Sequence, residues 1–424
     1  MLTTTPPSSA HSSQEYRMGR KELLALVSAI MAFTAMGIDV MLSAFDEIRA
    51  EFELGVTSTA TSRVVTVFFL GLAFGQLFYG PLADRFGRKR ALHLGASFYI
   101  LGAVGCALAP SFDLLLASRF VWGVGAAGAR VVATSIVRDR FEGVAMASAM
   151  SNVMAVFILV PVVAPSLGAV IIAIAPWRSV FWFCVLFAVA IVIWSARLRE
   201  TLAPVNRRLL SPTVIAEGYW QVARTPVTFG YTMATVFIQA AFTTYLASAE
   251  LLTAVVFDRE AQFPVIFGAV AVLFGLAAMV NGRIVEELGI DRVVTRAFVA
   301  LAGLLILLGS VTAIGNGEPN FWLFMPVIGL TLASFMFVMP NLNSAAMEPL
   351  GAIAGSGSAL TGAVRVAGGA VLGGFFSEQV DDSATPLVIG IASMTVLAGL
   401  SVWLVRTGGL RAHLRFTRLI PESS

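Results

Sequence analysis

Lysine occurs twice in this chain of 424 residues, at Lys21 and Lys89, and cysteine twice, at Cys106 and Cys184. Neither lysine follows a glycine, so the sequence holds no loop of the kind that cradles nucleotide phosphates, and an ATP-driven pump is excluded. The cysteines sit singly inside apolar runs, leaving neither a disulfide framework nor metal ligands at a useful spacing. Histidine is confined to His11, His93 and His413, in or beside polar segments, so no nucleophile with its base is assembled for an intramembrane enzyme. Charged residues make up only 12% of the chain, against roughly 25% in soluble domains. The chain is read as a non-enzyme with no cofactor.

Apolar residues, by contrast, reach 58% and the mean hydropathy is +0.85, more than a water-soluble fold can bury. The 38 glycines and 17 prolines suit helices in lipid, where small residues allow close contact and neighbouring helices re-satisfy broken backbone bonds. The formal net charge of +3 comes from loops on one side, so no nucleic-acid partner is read from it. Residues 1–22 are polar and rich in Ser, Thr and Pro, and are expected to be a disordered tail. The apolar stretch that follows lacks a small-residue cleavage site and is read as a first span, not a removable signal.

Apolar runs broken by charge, Gly and Pro predict spans at 23–44, 62–82, 91–110, 114–137, 146–173 and 178–197, then at 227–252, 264–285, 293–314, 320–345, 355–377 and 385–406. The expected fold is an all-α membrane protein of twelve transmembrane helices in two six-helix halves, 23–198 and 227–407. A linker loop at 199–226 joins them, and a basic tail occupies 408–424. Lys and Arg cluster in alternate loops: Arg17, Arg20 and Lys21; Arg85, Arg88, Lys89 and Arg90; Arg138 and Arg140; Arg197, Arg199, Arg207, Arg208 and Arg224; Arg283, Arg292 and Arg296; and Arg406, Arg411, Arg415 and Arg418. The opposite loops hold Arg49, Arg63, Arg178 and Arg259. The positive-inside rule places both termini and the linker in the cytosol, hence a multi-pass protein of the cytoplasmic membrane.

An internal repeat supports the division. The loop after the second span reads GPLADRFGRKR and the loop after the eighth reads GRIVEELGIDR, so Gly80, Gly87 and Arg90 match Gly282, Gly289 and Arg292. Two such halves suit alternating access by rocking, which a channel or a non-transporting receptor would not need.

GPLADRFGRKR in this topology resembles the loop motif of the major facilitator superfamily. More narrowly, GQLFYGPLADRFGRK, SRFVWGVGAAGARVVATSIVRDRFEG, LVPVVAPSLGA and PWRSVFWF resemble the Bcr/CflA group of drug and proton antiporters. The likeness continues more thinly in NGRIVEELG and GSGSALTGAVRVAGGAVLG. It implies a monomeric carrier that exports drugs or other small molecules in exchange for protons, with Asp39 and the arginine of its RFxxG motif, here Arg119, in coupling. It also implies that Gly80, Asp84, Arg85, Gly87, Arg88 and Arg90 stabilise the outward-open state, and that Pro161, Pro165 and Gly168 form the antiporter motif of the fifth span. The chain departs from the group at Trp122 and Arg365, where glutamine is usual, at SAFDEI, and at Ala164 and Ala169 in the fifth-span motif.

Charges inside a bilayer are costly, roughly 2.5–3.5 kcal/mol on insertion scales, and each needs a partner, a wet cavity or a role. Asp39, Arg119, Arg130, Glu250 and Arg365 qualify. Asp39 and Arg119 fall at similar depth on antiparallel spans and are read as a coupling pair, with a fixed structural ion pair as the alternative. Arg130 lies three turns from Arg119 on the same face, so the two form a column toward a cavity, unless Arg130 snorkels to the interface. Arg365 sits mid-span and is assigned to the cavity with Arg130, Glu250 and Trp122; Glu250, near an outer end, is expected to meet water, with a pairing to Arg365 as one option. The excess of arginine over acid keeps a second function open beside drug export: proton-linked movement of an anionic or zwitterionic metabolite.

Overall fold

The computed structural model describes residues 18–55, 58–203, 211–380 and 382–408. Most of both expected tails therefore lies outside the described residues. Among those residues the chain is all-helical, without strands, and eleven helical segments are long and apolar enough to cross a membrane.

Helix α1 (Arg20–Asp39) passes through a 3₁₀ stretch, Val40–Ala44, into α2 (Phe45–Glu51), forming one continuous segment. Then come α3 (Ser62–Phe86), α4 (Arg88–Ala107), α5 (Phe112–Arg140), α6 (Gly143–Ile174) and α7 (Ser179–Ser195). The linker is not all loop: Ser211 caps a short helix, α8 (Pro212–Arg224), with proline in its first turn, where a missing N–H costs nothing. The second half comprises α9 (Pro226–Leu251), α10 (Phe263–Leu288), α11 (Ile290–Ile314), α12 (Phe321–Ser334), α13 (Met339–Met347), α14 (Ala354–Ser377) and α15 (Thr385–Thr407). Eleven expected spans coincide with these segments to within a few residues. At the sixth stands α7, apolar throughout but 17 residues long, a little short of the roughly 20 that a bilayer asks for.

Polar contacts fix which ends lie together. Glu22 meets Arg197 at 3.0 Å and Lys89 donates to the Ala196 carbonyl at 2.9 Å, so the starts of α1 and α4 adjoin the end of α7. At the other end Arg178 reaches Glu51 and the Ala109 carbonyl, both at 2.9 Å. In the second half, Arg406 of α15 meets Asp291 of α11 at 2.9 Å, and Ala384 N–H donates to the Gly317 carbonyl at 2.8 Å. The halves touch mainly along α3 against α14 and α6 against α10.

Close approach of α4 and α5 is made by residues without bulk: a Cβ added at Gly125 would collide with the backbone of Tyr99. In lipid, where apolar surface gains little by leaving its solvent, such contact is what binds helices. Cys106 and Cys184 are free and buried in this half.

The repeat recurs in the backbone. Gly87 has φ +98° and ψ +158°, and Gly289 has φ +77° and ψ +158°, each turning the chain directly into the next helix. That region of backbone space is essentially reserved for glycine.

Candidate functional site

Asp39 is buried at the point where α1 tightens into the 3₁₀ stretch, and no described cation or hydrogen-bond donor meets its carboxyl. The next turn is held by α6. Ser43 Oγ donates to the Pro165 carbonyl at 2.8 Å, and Gly168 lies so close to the Val40 carbonyl that a Cβ there would collide with it. The proline motif therefore packs against the backbone after Asp39. Its own helix runs unbroken through Pro161 and Pro165, so tight packing, rather than a break, is the motif's visible consequence.

Arg119 approaches α1 but does not ion-pair with Asp39, which corrects the expected contact. Its Nη1 donates to the Gly37 carbonyl at 2.8 Å and its Nε to the Val64 carbonyl at 3.2 Å. The guanidinium carbon lies 4.4 Å from the centre of the Phe68 ring and 4.8 Å from that of Trp122. Two carbonyls and two aromatic faces thus hold the cation, although Nη2 is buried without a hydrogen-bond partner.

Trp122 is likewise not a cavity residue. It is fully buried between Tyr99 and Phe181, with ring centroids 5.3 and 5.7 Å away, inside the first half. The expected column of two arginines also divides: Arg119 is enclosed, whereas Arg130, three turns on, is half-buried.

No described carboxylate answers Arg130. Arg365 of α14 is half-buried as well. They stand at matching depths, ten residues before the end of α5 and eleven after the start of α14. Arg365 Nη1 donates to Gln239 Oε1 at 2.7 Å and lies 3.8 Å from Met339 Sδ, and no described carboxylate pairs with either arginine.

Glu250 is neither solvated nor paired with Arg365. It forms a two-pronged ion pair with Arg49, at 2.7 and 3.1 Å, with the side chains 6% and 2% exposed. Arg49 also holds Asp46 and donates to Thr61 Oγ1 at 3.1 Å. A second bridge, Arg63 to Glu378 at 2.8 Å, joins α3 to the end of α14. Both bridges connect the halves at the end remote from Gly87. Sequence reading counted Arg49 and Arg63 only as loop charges; the acid-rich FDEIRAE turn continuing the first span was the available signal for the former.

At the Gly87 end, Arg88 is the hub: it meets Asp84 of α3 at 2.6 Å and Asp139 of α5 at 2.8 Å. Glu200 accepts the backbone N–H of Arg88 at 2.8 Å and of Lys89 at 3.2 Å, capping α4, and Thr201 donates to Asp139 at 3.2 Å. This network joins the first half to the start of the linker and does not reach the second half. Arg85 and Arg90 are exposed, and Gly80 has open space where a Cβ would stand, so close approach is not its role.

Comparisons with known proteins give this helical bundle its family. Residues 24–374 match the family model described as Major Facilitator Superfamily. A bicyclomycin resistance protein homolog of Haemophilus influenzae is 27% identical over 92% of this chain and 96% of its own length. The multidrug resistance protein MdtL of Escherichia coli is 33% identical over 42% of this chain and 45% of its own length. Among solved structures, a D-xylose-proton symporter superposes with a TM-score of 0.69 at 14% identity, covering 89% of this chain and 95% of its own. The chain is therefore a multi-pass membrane transporter, not an enzyme, and belongs to the Major Facilitator Superfamily.

Proposed function

We propose that this transporter exports drug-like or other small molecules in exchange for protons, by alternating access, as a monomer of twelve spans in the cytoplasmic membrane with both termini in the cytosol. In this reading α7 is the sixth span, and the alternate loops rich in arginine set the orientation. The names of the bicyclomycin-resistance and multidrug relatives favour export.

One observation carries the proton reading: a buried carboxyl at Asp39 that meets no described partner, on the same helix whose Gly37 carbonyl holds Arg119, a buried arginine with an unpartnered Nη2. A lone carboxylate in such surroundings is costly unless it is protonated or finds a cation. Asp39 can therefore take a proton in one access state and meet Arg119 in the other, as α6 shifts against Val40 and Ser43. The loop network around Arg88 braces the first half as it moves. The two bridges remote from it, Arg49–Glu250 and Arg63–Glu378, hold the outer end closed, so the loop network and a closed outer end coexist in this state.

Purified protein in liposomes with an imposed pH gradient tests this. A varied solute panel is followed for wild type and Asp39→Asn. Wild type is expected to concentrate a drug-like solute in response to the gradient, and Asp39→Asn to lose that response. Indifference of wild type to the gradient would end the proton reading and leave a facilitator or metabolite exchanger. The second reading, carriage of an anionic or zwitterionic metabolite, is favoured by Arg130 and Arg365, two half-buried arginines that no described carboxylate answers.

A further inference from the structure

We infer that the linker helix α8 is a clasp between the halves, closed by Tyr219 on the carbonyl that Pro81 leaves without a donor, and that the halves part at the Gly87 end only when this clasp lets go. The gating step rests on the alternating-access reading above; the docking of α8 does not.

Pro81 stands inside α3, within the GPLADRFGRKR motif. A proline has no N–H, so the carbonyl four residues earlier, that of Leu77, loses its helical partner. In a membrane protein such a freed carbonyl is costly unless a neighbouring element answers it. The Tyr219 hydroxyl does so, donating to the Leu77 oxygen at 2.7 Å across 142 positions of sequence.

The helix that supplies this donor belongs to the second half. A single residue, Thr225, separates α8 from α9, and the buried Gly218 lies against α14, where an added Cβ would come within 2.7 Å of Ser356 Oγ. The bond to α3 therefore crosses between the halves. Gln76, the neighbour of Leu77, faces α14 directly, with its Oε1 2.8 Å from where a Cβ on Gly362 would stand. The clasp thus sits on the seam of α3 and α14 along which the halves touch.

Its place along that seam gives it a task. Ser356 is the third residue of α14, and Leu77 lies in the part of α3 that runs toward Gly87. Arg49–Glu250 and Arg63–Glu378 join the halves at the opposite end. Rocking halves must break the bonds at one end to open there. A neutral hydrogen bond is far easier to break than a buried ion pair, so the Gly87 end carries the lighter fastening.

The test uses the full chain in phosphatidylcholine nanodiscs and reads how fast a water-soluble maleimide labels Ser356→Cys, which lies under Gly218 of α8. Cys106 and Cys184 are buried, and the chain without the added cysteine gives the blank. Tyr219→Phe, which removes the hydroxyl and nothing else, is expected to speed labelling about two- to tenfold, the size of one net hydrogen bond. Pro81→Ala returns an N–H to the Leu77 carbonyl, so it should speed labelling by itself and leave little for Tyr219→Phe to add. Arg49→Leu combined with Glu250→Leu loosens the opposite end and should slow labelling, which a damaged fold would not do.

Labelling unchanged by Tyr219→Phe would overturn the docking. Equal effects of Tyr219→Phe with and without Pro81→Ala would overturn the part given to the proline. Labelling indifferent to the loss of Arg49 and Glu250 would overturn the gating. No gradient or drug is present, so the clasp can stand while proton exchange fails, or the reverse.

Discussion

Arg49 and Glu250 stand 201 positions apart in sequence and meet at 2.7 Å, both buried, each from a different half of the transporter. The pair ties the continuation of the first span to α9 just before that helix loosens into a π-helical turn at Leu252–Val256. Removing one partner strands a charge, whereas removing both strands none.

Arg49→Ala and Glu250→Ala should each destabilise this state by about 3–5 kcal/mol, read as a marked fall in thermal unfolding temperature in detergent. Arg49→Leu combined with Glu250→Leu should recover most of the loss. Recovery no better than the worse single variant would mean that the pair contributes more than it costs to desolvate.

Arg63 and Glu378 are partly exposed, which makes the second bridge accessible to reagents. Cysteines at both positions, joined by a short bis-thiosulfonate crosslinker, should arrest transport until a reductant is added. The native cysteines are buried and give little background. Full transport by the crosslinked protein would show that the halves need not part at this point.

Two glycines of the same loop should behave oppositely. Gly87→Ala forces a side chain into a backbone region that costs about 1–3 kcal/mol and directs its Cβ at the Glu200 carboxylate, disturbing the cap on α4. Gly80→Ala meets nothing and should be near neutral. Comparison of unfolding temperatures and purified yield distinguishes them, and equal effects would refute the assignment.

Gly168→Ala should separate α6 from Val40 at a cost of about 1–3 kcal/mol and blunt the response of transport to a pH gradient. Gly303→Ala, with open space around it, is the matched control. Gradient-driven flux for both variants, normalised to protein in the membrane, checks the expectation.

The helical segments were legible because a bilayer imposes one simple rule: about 20 apolar residues, bounded by charge, Gly or Pro. The GPLADRFGRKR loop was legible for a local reason too, since Gly87 must adopt a backbone that other residues avoid, and Gly289 repeats it. The linker helix α8 was missed because its 13 residues carry Glu217, Gln221 and Arg224 among the apolar ones and its surroundings read as loop. Five intramembrane charges stood out by their cost alone, but their partners did not. Arg119 went to carbonyls and rings, and Glu250 to an arginine counted as a loop charge; the uncharged Trp122, read as a cavity residue, went to an aromatic core.

Sequence by itself determined the class, the helical segments to within a few residues, the repeat and the charges that fall inside apolar runs, because each follows from composition or from neighbours within a few residues. Tertiary structure alone decided which charge answers which. Pairing between helices depends on their rotation and depth, and a carboxylate and a guanidinium 201 residues apart leave no mark in either local sequence that they will meet.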